Sequence, residues 1–295
     1  MTTLIRFARP AAVALSIMAL TQGASAQTLQ TFAAGGAPPA QNACAQPTIA
    51  NTAVFLSGAL TGGKDSSNST ATSGALGISR LSSTWSFSSQ INIAAKTDTV
   101  RDGFGASLLT PGSGKALTAG LFEWRRSFAS FFGCARQARL PRLVREVVGG
   151  DRLKARAYGT VSSSVWSLPA AGAEPAEAVS VVPIGFGVGV GYTLISQTFD
   201  EKPVAAGLVF GFSRRLIHGD VAGESHALQR QAMLGTSKES FSGYEAGLEL
   251  QFAQISGGVT FYSFPRAATV PGFSRGQVIA GFSIRSNVLE KNAEK

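Results

Sequence analysis

The chain is poor in residues that carry chemistry. Its 295 residues include only two histidines, two cysteines, three methionines and three tryptophans. His218 and His226 lie in one segment, 217–238, with Asp220, Glu224 and Ser225, far from Cys44 and Cys134. Two histidines and two distant thiols do not make a four-ligand zinc set. No G-x-S-x-G elbow occurs. A barrel-type lipid hydrolase would need serine, histidine and acid to converge in space from that one segment, so it is the weakest function reading. The sequence implies no cofactor and no catalytic residue. Charge is scarce as well, at 15%. Long apolar runs are missing: after the first twenty residues each is broken within a few positions by Gly, Ser, Arg or Glu. A transmembrane helix is therefore excluded, and the chain can enter a bilayer only as a closed barrel whose backbone groups pair internally.

The start of the chain carries a secretory signature. Arg6 and Arg9 form a positive region, Ala11 to Leu20 a short apolar core, and Ala24-Ser25-Ala26 a small-residue cleavage site. Residues 1–26 are expected to be a signal peptide and 27–50, rich in Ala, Gln, Gly and Pro, a flexible leader. The formal net charge is +9. A basic chain first points to nucleic acid, but export argues against that partner, and so does the confinement of the excess charge to one segment around 125–156.

The stretch Pro183-Ile184-Gly185-Phe186-Gly187-Val188-Gly189-Val190-Gly191-Tyr192 superficially resembles a phosphate-binding loop. Its glycines recur at every second position, whereas a dinucleotide loop needs G-x-G-x-x-G leading into a helix. The next residues, Thr193 to Phe199, are β-branched and aromatic instead. Period two belongs to a strand with one large apolar face and one bare face. A second near-match, Gly58 to Asp65, puts Asp where a P-loop needs Ser or Thr, and no helix comes after it.

Strand signals recur along the whole chain, at about 52–61, 73–80, 83–97, 115–128, 152–167, 178–198, 203–216, 239–253, 255–264 and 274–285. Alternation is two-sided. Trp85, Phe87, Ile91 and Ile93 oppose Ser86, Ser88, Gln90 and Asn92; Ala246, Leu248, Leu250 and Phe252 oppose Glu245, Gly247, Glu249 and Gln251; Val278, Ala280, Phe282 and Ile284 oppose Gln277, Gly281 and Ser283. The polar faces are mostly Gly, Ser, Gln and Asn, which suits a narrow lumen with an outward apolar band. With both ends on the periplasmic side, the outward connections (62–72, 98–114, 168–177, 217–238, 265–273) are long. The inward ones (81–82, 199–202, 254) are short, with 129–151 the exception.

In its signal peptide, alternation and loop asymmetry the chain resembles the Gram-negative outer-membrane β-barrel class, porin-like in architecture and with no specific family. The resemblance implies an all-β fold: a single antiparallel up-and-down transmembrane barrel of about ten strands (8–12) over 51–286, ending in a polar tail, 287–295. It also implies an outer-membrane location with lipid as the main partner. Two features depart from the class. Trp and Tyr number only three and four, and Trp166 falls on the polar parity of its strand. The alternative reading is a soluble exported sandwich or barrel, periplasmic or secreted, that binds a ligand or protein.

The exceptional connection holds the charge. In 129–151, Leu140, Leu143, Val144 and Val147 fall on one helical face, while Arg136, Arg139, Arg142 and Arg145 recur every third residue. The spacing predicts a short cationic amphipathic helix at the periplasmic mouth. Arg152, Lys154 and Arg156 then share one strand face and are expected to form a basic row in the lumen, a path for small anionic solutes. Cys44 and Cys134 both fall on the predicted periplasmic side, and in an oxidising compartment they are expected to form a disulfide. The function these readings imply is non-enzymatic: a narrow pore for small solutes or a structural barrel of the envelope.

Overall fold

A computed structural model of the chain describes residues 51–63, 70–81, 85–97, 116–128, 131, 141, 152–200, 202–234, 236–265 and 277–287. Ten strands account for most of them: β1 (Asn51–Gly63), β2 (Thr70–Leu81), β3 (Trp85–Thr97), β4 (Ala116–Ser127), β5 (Leu153–Leu168), β6 (Glu177–Phe199), β7 (Lys202–Gly219), β8 (Ser240–Phe252), β9 (Ile255–Ser263) and β10 (Gln277–Asn287). Each strand pairs antiparallel with its sequence neighbours. β1 also pairs with β10, from Ala53↔Asn287 to Gly63↔Gln277, so the sheet closes on itself. The protein is a single closed, antiparallel up-and-down barrel, not two packed sheets. The shortest strand, β9, has 9 residues, about the length a tilted strand needs to cross a bilayer. Closure leaves no edge strand.

Alternation sets the two faces as the sequence predicts, with the apolar residues outside. Phe87, Ile91, Phe122, Val188, Phe210, Leu248, Leu250, Val259 and Val278 are all exposed on the outer surface. Ser57, Ser79, Ser86, Ser88, Ser162, Ser164, Ser213, Thr260 and Ser283 are all buried inside. A water-soluble fold reverses this distribution, because large contiguous apolar patches are rarely left facing water. Aromatic and cationic side chains border the band. Trp85 and Trp124 stand opposite each other on the outer face of β3 and β4, and the Arg126 guanidinium lies 5.0 Å over the Phe131 ring. Toward the other mouth, Phe212 and Tyr244 meet edge to face at 6.0 Å, and Arg214 donates to Ser240 Oγ at 3.4 Å.

The connections repeat the predicted asymmetry. Between β6 and β7 only 200–201 intervene, between β8 and β9 only 253–254, and between β2 and β3 only 82–84. The two tightest turns force Asp200 and Ala253 into the left-handed region, at φ 51° and 54°. The longer connections lie at the opposite mouth, with the β4–β5 connection (128–152) the predicted exception. The helix described is α1 (Ala227–Leu234), in the β7–β8 connection. Its sequence, ALQRQAML, consists of strong helix formers, a signal hidden among the polar residues of 217–238. The helix predicted in 129–151, with Arg136, Arg139, Arg142 and Arg145, lies outside the described residues. So do the expected signal peptide and leader, Cys44, Cys134 and the tail beyond Asn287.

Candidate functional site

The barrel interior is the site. It is built from strands whose inward positions alternate between bulk and emptiness. On β6 the glycines at 185, 187, 189 and 191 face inward, while Phe186, Val188 and Val190 face out. The bare stripe is space that neighbouring side chains use. Tyr158 stands across from Gly187, and a methyl on Gly187 would sit 2.7 Å from the Tyr158 hydroxyl. Arg215 stands across from Gly185, where a methyl would collide with both the guanidinium and Thr160 Oγ1. Glycine here lets large polar side chains lie against the wall. Trp166 obeys the same logic. It is on the inward parity of β5 with no bulge to turn it, and it is 2% exposed. It fills the interior and does not belong to an interfacial belt.

Across the middle runs an ion-pair lattice. Arg156 on β5 donates from Nε to Glu123 Oε1 on β4 at 2.7 Å and from Nη1 to Glu245 Oε1 on β8 at 2.9 Å. Tyr158 donates its hydroxyl proton to Glu245 Oε2 at 2.6 Å. Arg125 holds Glu123 Oε1 at 2.7 Å and reaches Glu249 Oε2 on β8 at 3.5 Å. The Arg156 guanidinium also lies 4.6 Å over the Tyr158 ring. β5 and β8 are separated by β6 and β7 in the barrel order, so the bonds to Glu245 and Glu249 are chords through the lumen, while Arg156–Glu123 ties two neighbouring strands. Glu123, Arg156 and Glu245 are almost wholly buried. Unpaired, such charges would be costly; paired and hydrogen-bonded, they fix the distance between the walls. Toward the mouth with long connections, Arg215 is flanked by the rings of Tyr158 and Tyr262 at 5.6 and 5.7 Å. Beyond it, Trp166, Leu168, Val179, Val181, Ile217 and Phe264 make an apolar layer.

The structure separates the members of the predicted basic row. Arg156 is deep in the lumen and bound to two carboxylates, Lys154 is half-buried and Arg152 is exposed at the end of β5. Sequence reasoning misses Glu123, Glu245 and Arg215. The two glutamates are visible as acids on polar strand faces, but Glu123 meets Arg156 only through the β4–β5 register, and Glu245 meets it only through closure. The histidine segment also resolves. His226 contacts Ser225 Oγ through Nδ1 at 3.1 Å and Glu177 Oε1 through Nε2 at 3.0 Å, while Asp220 accepts from the Ser180 amide at 3.3 Å. Together with Gln229 donating to the Pro175 carbonyl at 2.8 Å, these bonds clamp the β7–β8 connection onto the β5–β6 turn. Gly58 to Gly63, the near P-loop, is part of strand β1. Among the described residues no group of three His, Cys, Asp or Glu is placed to hold a metal.

No protein-family model matches the chain, and no curated protein is similar to it. Solved structures with a similar arrangement are outer-membrane barrels. The NanC porin in a rhombohedral crystal form is 8% identical, with a TM-score of 0.31, over 80% of this chain and 99% of that one. OmpF of Salmonella typhi in complex with daunomycin is 10% identical, with a TM-score of 0.25, over 80% and 97%. At such scores the likeness carries no argument about what this barrel binds or passes.

Proposed function

We propose that the protein is a non-enzymatic outer-membrane β-barrel of the bacterial envelope whose narrow lumen passes only small solutes, anions in preference. The observation that carries this reading is the lattice Glu123–Arg156–Glu245 inside a closed barrel with an apolar exterior. An exterior of this kind suits hydrocarbon, and a polar interior suits water and ions. The lattice subdivides the interior, so large solutes have no straight path. Arg156 acts as a strut between the walls. Arg152, Lys154 and the basic segment 136–145 supply the positive field at one mouth that draws anions.

The test is reconstitution of the mature chain. A folded membrane barrel resists urea extraction, changes gel mobility on heating, and in planar bilayers gives a small conductance with anion preference. Arg152→Gln with Lys154→Gln lowers that preference and leaves the barrel folded. Release of the protein by urea, as expected of a soluble exported barrel, overturns the membrane reading. A folded barrel with no conductance overturns the pore and leaves a structural role.

A further inference from the structure

Arg215 differs from Arg125 and Arg156, the two arginines of the lattice. It is 2% exposed, and its Nη2 donates to the Tyr158 hydroxyl at 3.3 Å. Its Nε and Nη1 have no hydrogen-bond partner among the described residues. Glu245, the acid nearest to hand, already engages Arg156 through Oε1 and Tyr158 through Oε2. A buried guanidinium without a paired carboxylate is costly, and two tyrosine rings offset only part of that.

The surroundings are rich in further donors. Ser213 precedes Arg215 by two positions on the same inward face of β7, and its buried hydroxyl has no partner among the described residues. Ser162 and Ser164 on β5 are likewise buried and unpartnered there. Thr160 Oγ1 and the guanidinium both border the space over Gly185, and Thr160 donates to the Gly185 carbonyl at 3.3 Å. Gly185 is what lets the guanidinium lie against the wall.

We infer that Arg215 and Ser213 form a binding site for a small spherical anion of the halide class within the lumen, with the hydroxyls of β5 alongside. The open nitrogens favour a sphere. Nε and Nη1 do not share an edge of the guanidinium, and one of the two forks they make with Nη2 is taken by the Tyr158 hydroxyl, so the open donors point in different directions. A halide accepts from single donors in any direction. The site neutralises Arg215 and gives an anion a resting place on the Tyr158 side of the lattice. It rests on the proposed reading of the interior as open to ions.

The experiment uses the full mature chain folded in detergent. Its unfolding midpoint is measured in potassium chloride and in potassium gluconate at equal ionic strength. Chloride raises the midpoint saturably over gluconate, because a ligand that binds only the folded state stabilises it by mass action. Arg215→Gln abolishes the difference and Arg215→Lys retains part of it. An equal chloride effect in Arg215→Gln, or no saturable effect in wild type, overturns the site. Should Arg215→Gln fail to fold, crystals of wild type grown in bromide decide. An anomalous peak within hydrogen-bond distance of Arg215 supports the site, and none there overturns it. Neither readout depends on membrane extraction or conductance, so failure of this site and failure of the pore reading are told apart.

Discussion

Arg156 on β5 and Glu245 on β8 meet at 2.9 Å although two whole strands stand between them in the wall. The contact is a chord of the barrel, and it fails if any register between β5 and β8 slips. Removing the arginine alone leaves buried Glu245 with only the Tyr158 hydroxyl and Glu123 with only Arg125, and breaking a buried pair in this way costs about 3–5 kcal/mol. Arg156→Ala is therefore expected to lower the urea midpoint of the refolded barrel sharply. Arg156→Met with Glu123→Gln and Glu245→Gln should recover much of the loss, because neither acid is then left as a buried charge without Arg156. A single variant as stable as wild type would show that the lattice does not hold the walls.

The proposed membrane reading sets the outward apolar band against lipid. Arginine at Leu248, in the middle of that band on β8, is expected to cost about 2–4 kcal/mol in a bilayer and to block assembly. Leu228 on α1 is more exposed than Leu248 but lies outside the band, and arginine there should be tolerated. Equal tolerance at both positions, read from membrane yield and heat-dependent gel mobility, would mean that the band faces water.

Gly187 gives its space to Tyr158, whereas Gly159 has nothing within 4 Å of where a methyl would point. Gly187→Ala should push the Tyr158 ring off the wall, weaken its bond to Glu245 and destabilise the barrel by about 1–3 kcal/mol. Gly159→Ala should be close to neutral. The comparison is made by urea unfolding in lipid vesicles, and matching midpoints for the two variants would refute the steric argument.

Ala253 occupies the left-handed region at φ 54° in the two-residue turn between β8 and β9. An L side chain there costs about 1–2 kcal/mol, which glycine avoids at some loss of unfolded-state entropy. Ala253→Gly is expected to stabilise by up to about 1 kcal/mol, seen as a higher urea midpoint. A lower midpoint would mean that the turn is not strained.

Cys44 and Cys134 carry a separate expectation. A bond between them would close a long loop and stabilise by about 2–4 kcal/mol, tethering the leader to the basic segment. Non-reducing mass mapping of exported protein should find the joined peptides. Free thiols at both positions would end the proposal and remove one support for placing the two segments on the same side.

The barrel is legible in the sequence because a strand's two faces differ at every second residue. The alternation around Leu248 and around Phe282 locates the strands to within a few residues, and the glycine run at 185–191 reads as a strand rather than a phosphate loop. Trp166 lies visibly on the polar parity of β5, yet parity alone does not say why a tryptophan belongs there. The answer is the apolar layer it shares with Val181 and Ile217 from neighbouring strands. The lattice is not legible at all. Glu123, Arg156 and Glu245 are far apart in the chain and share no periodic pattern; the β4–β5 register sets Arg156 diagonally beside Glu123, and only the curvature of the closed barrel brings Glu245 on β8 within hydrogen-bond reach. The basic row fails as a unit for the same reason. Three cations at alternate positions share a face, but the opposite wall decides which of them is neutralised, and that wall is set by the tertiary structure. Sequence determines the face on which a strand residue lies, because pleating is local. Pairing register and closure determine what that residue meets, because a lumen contact such as Arg156–Glu245 can join strands that are not neighbours.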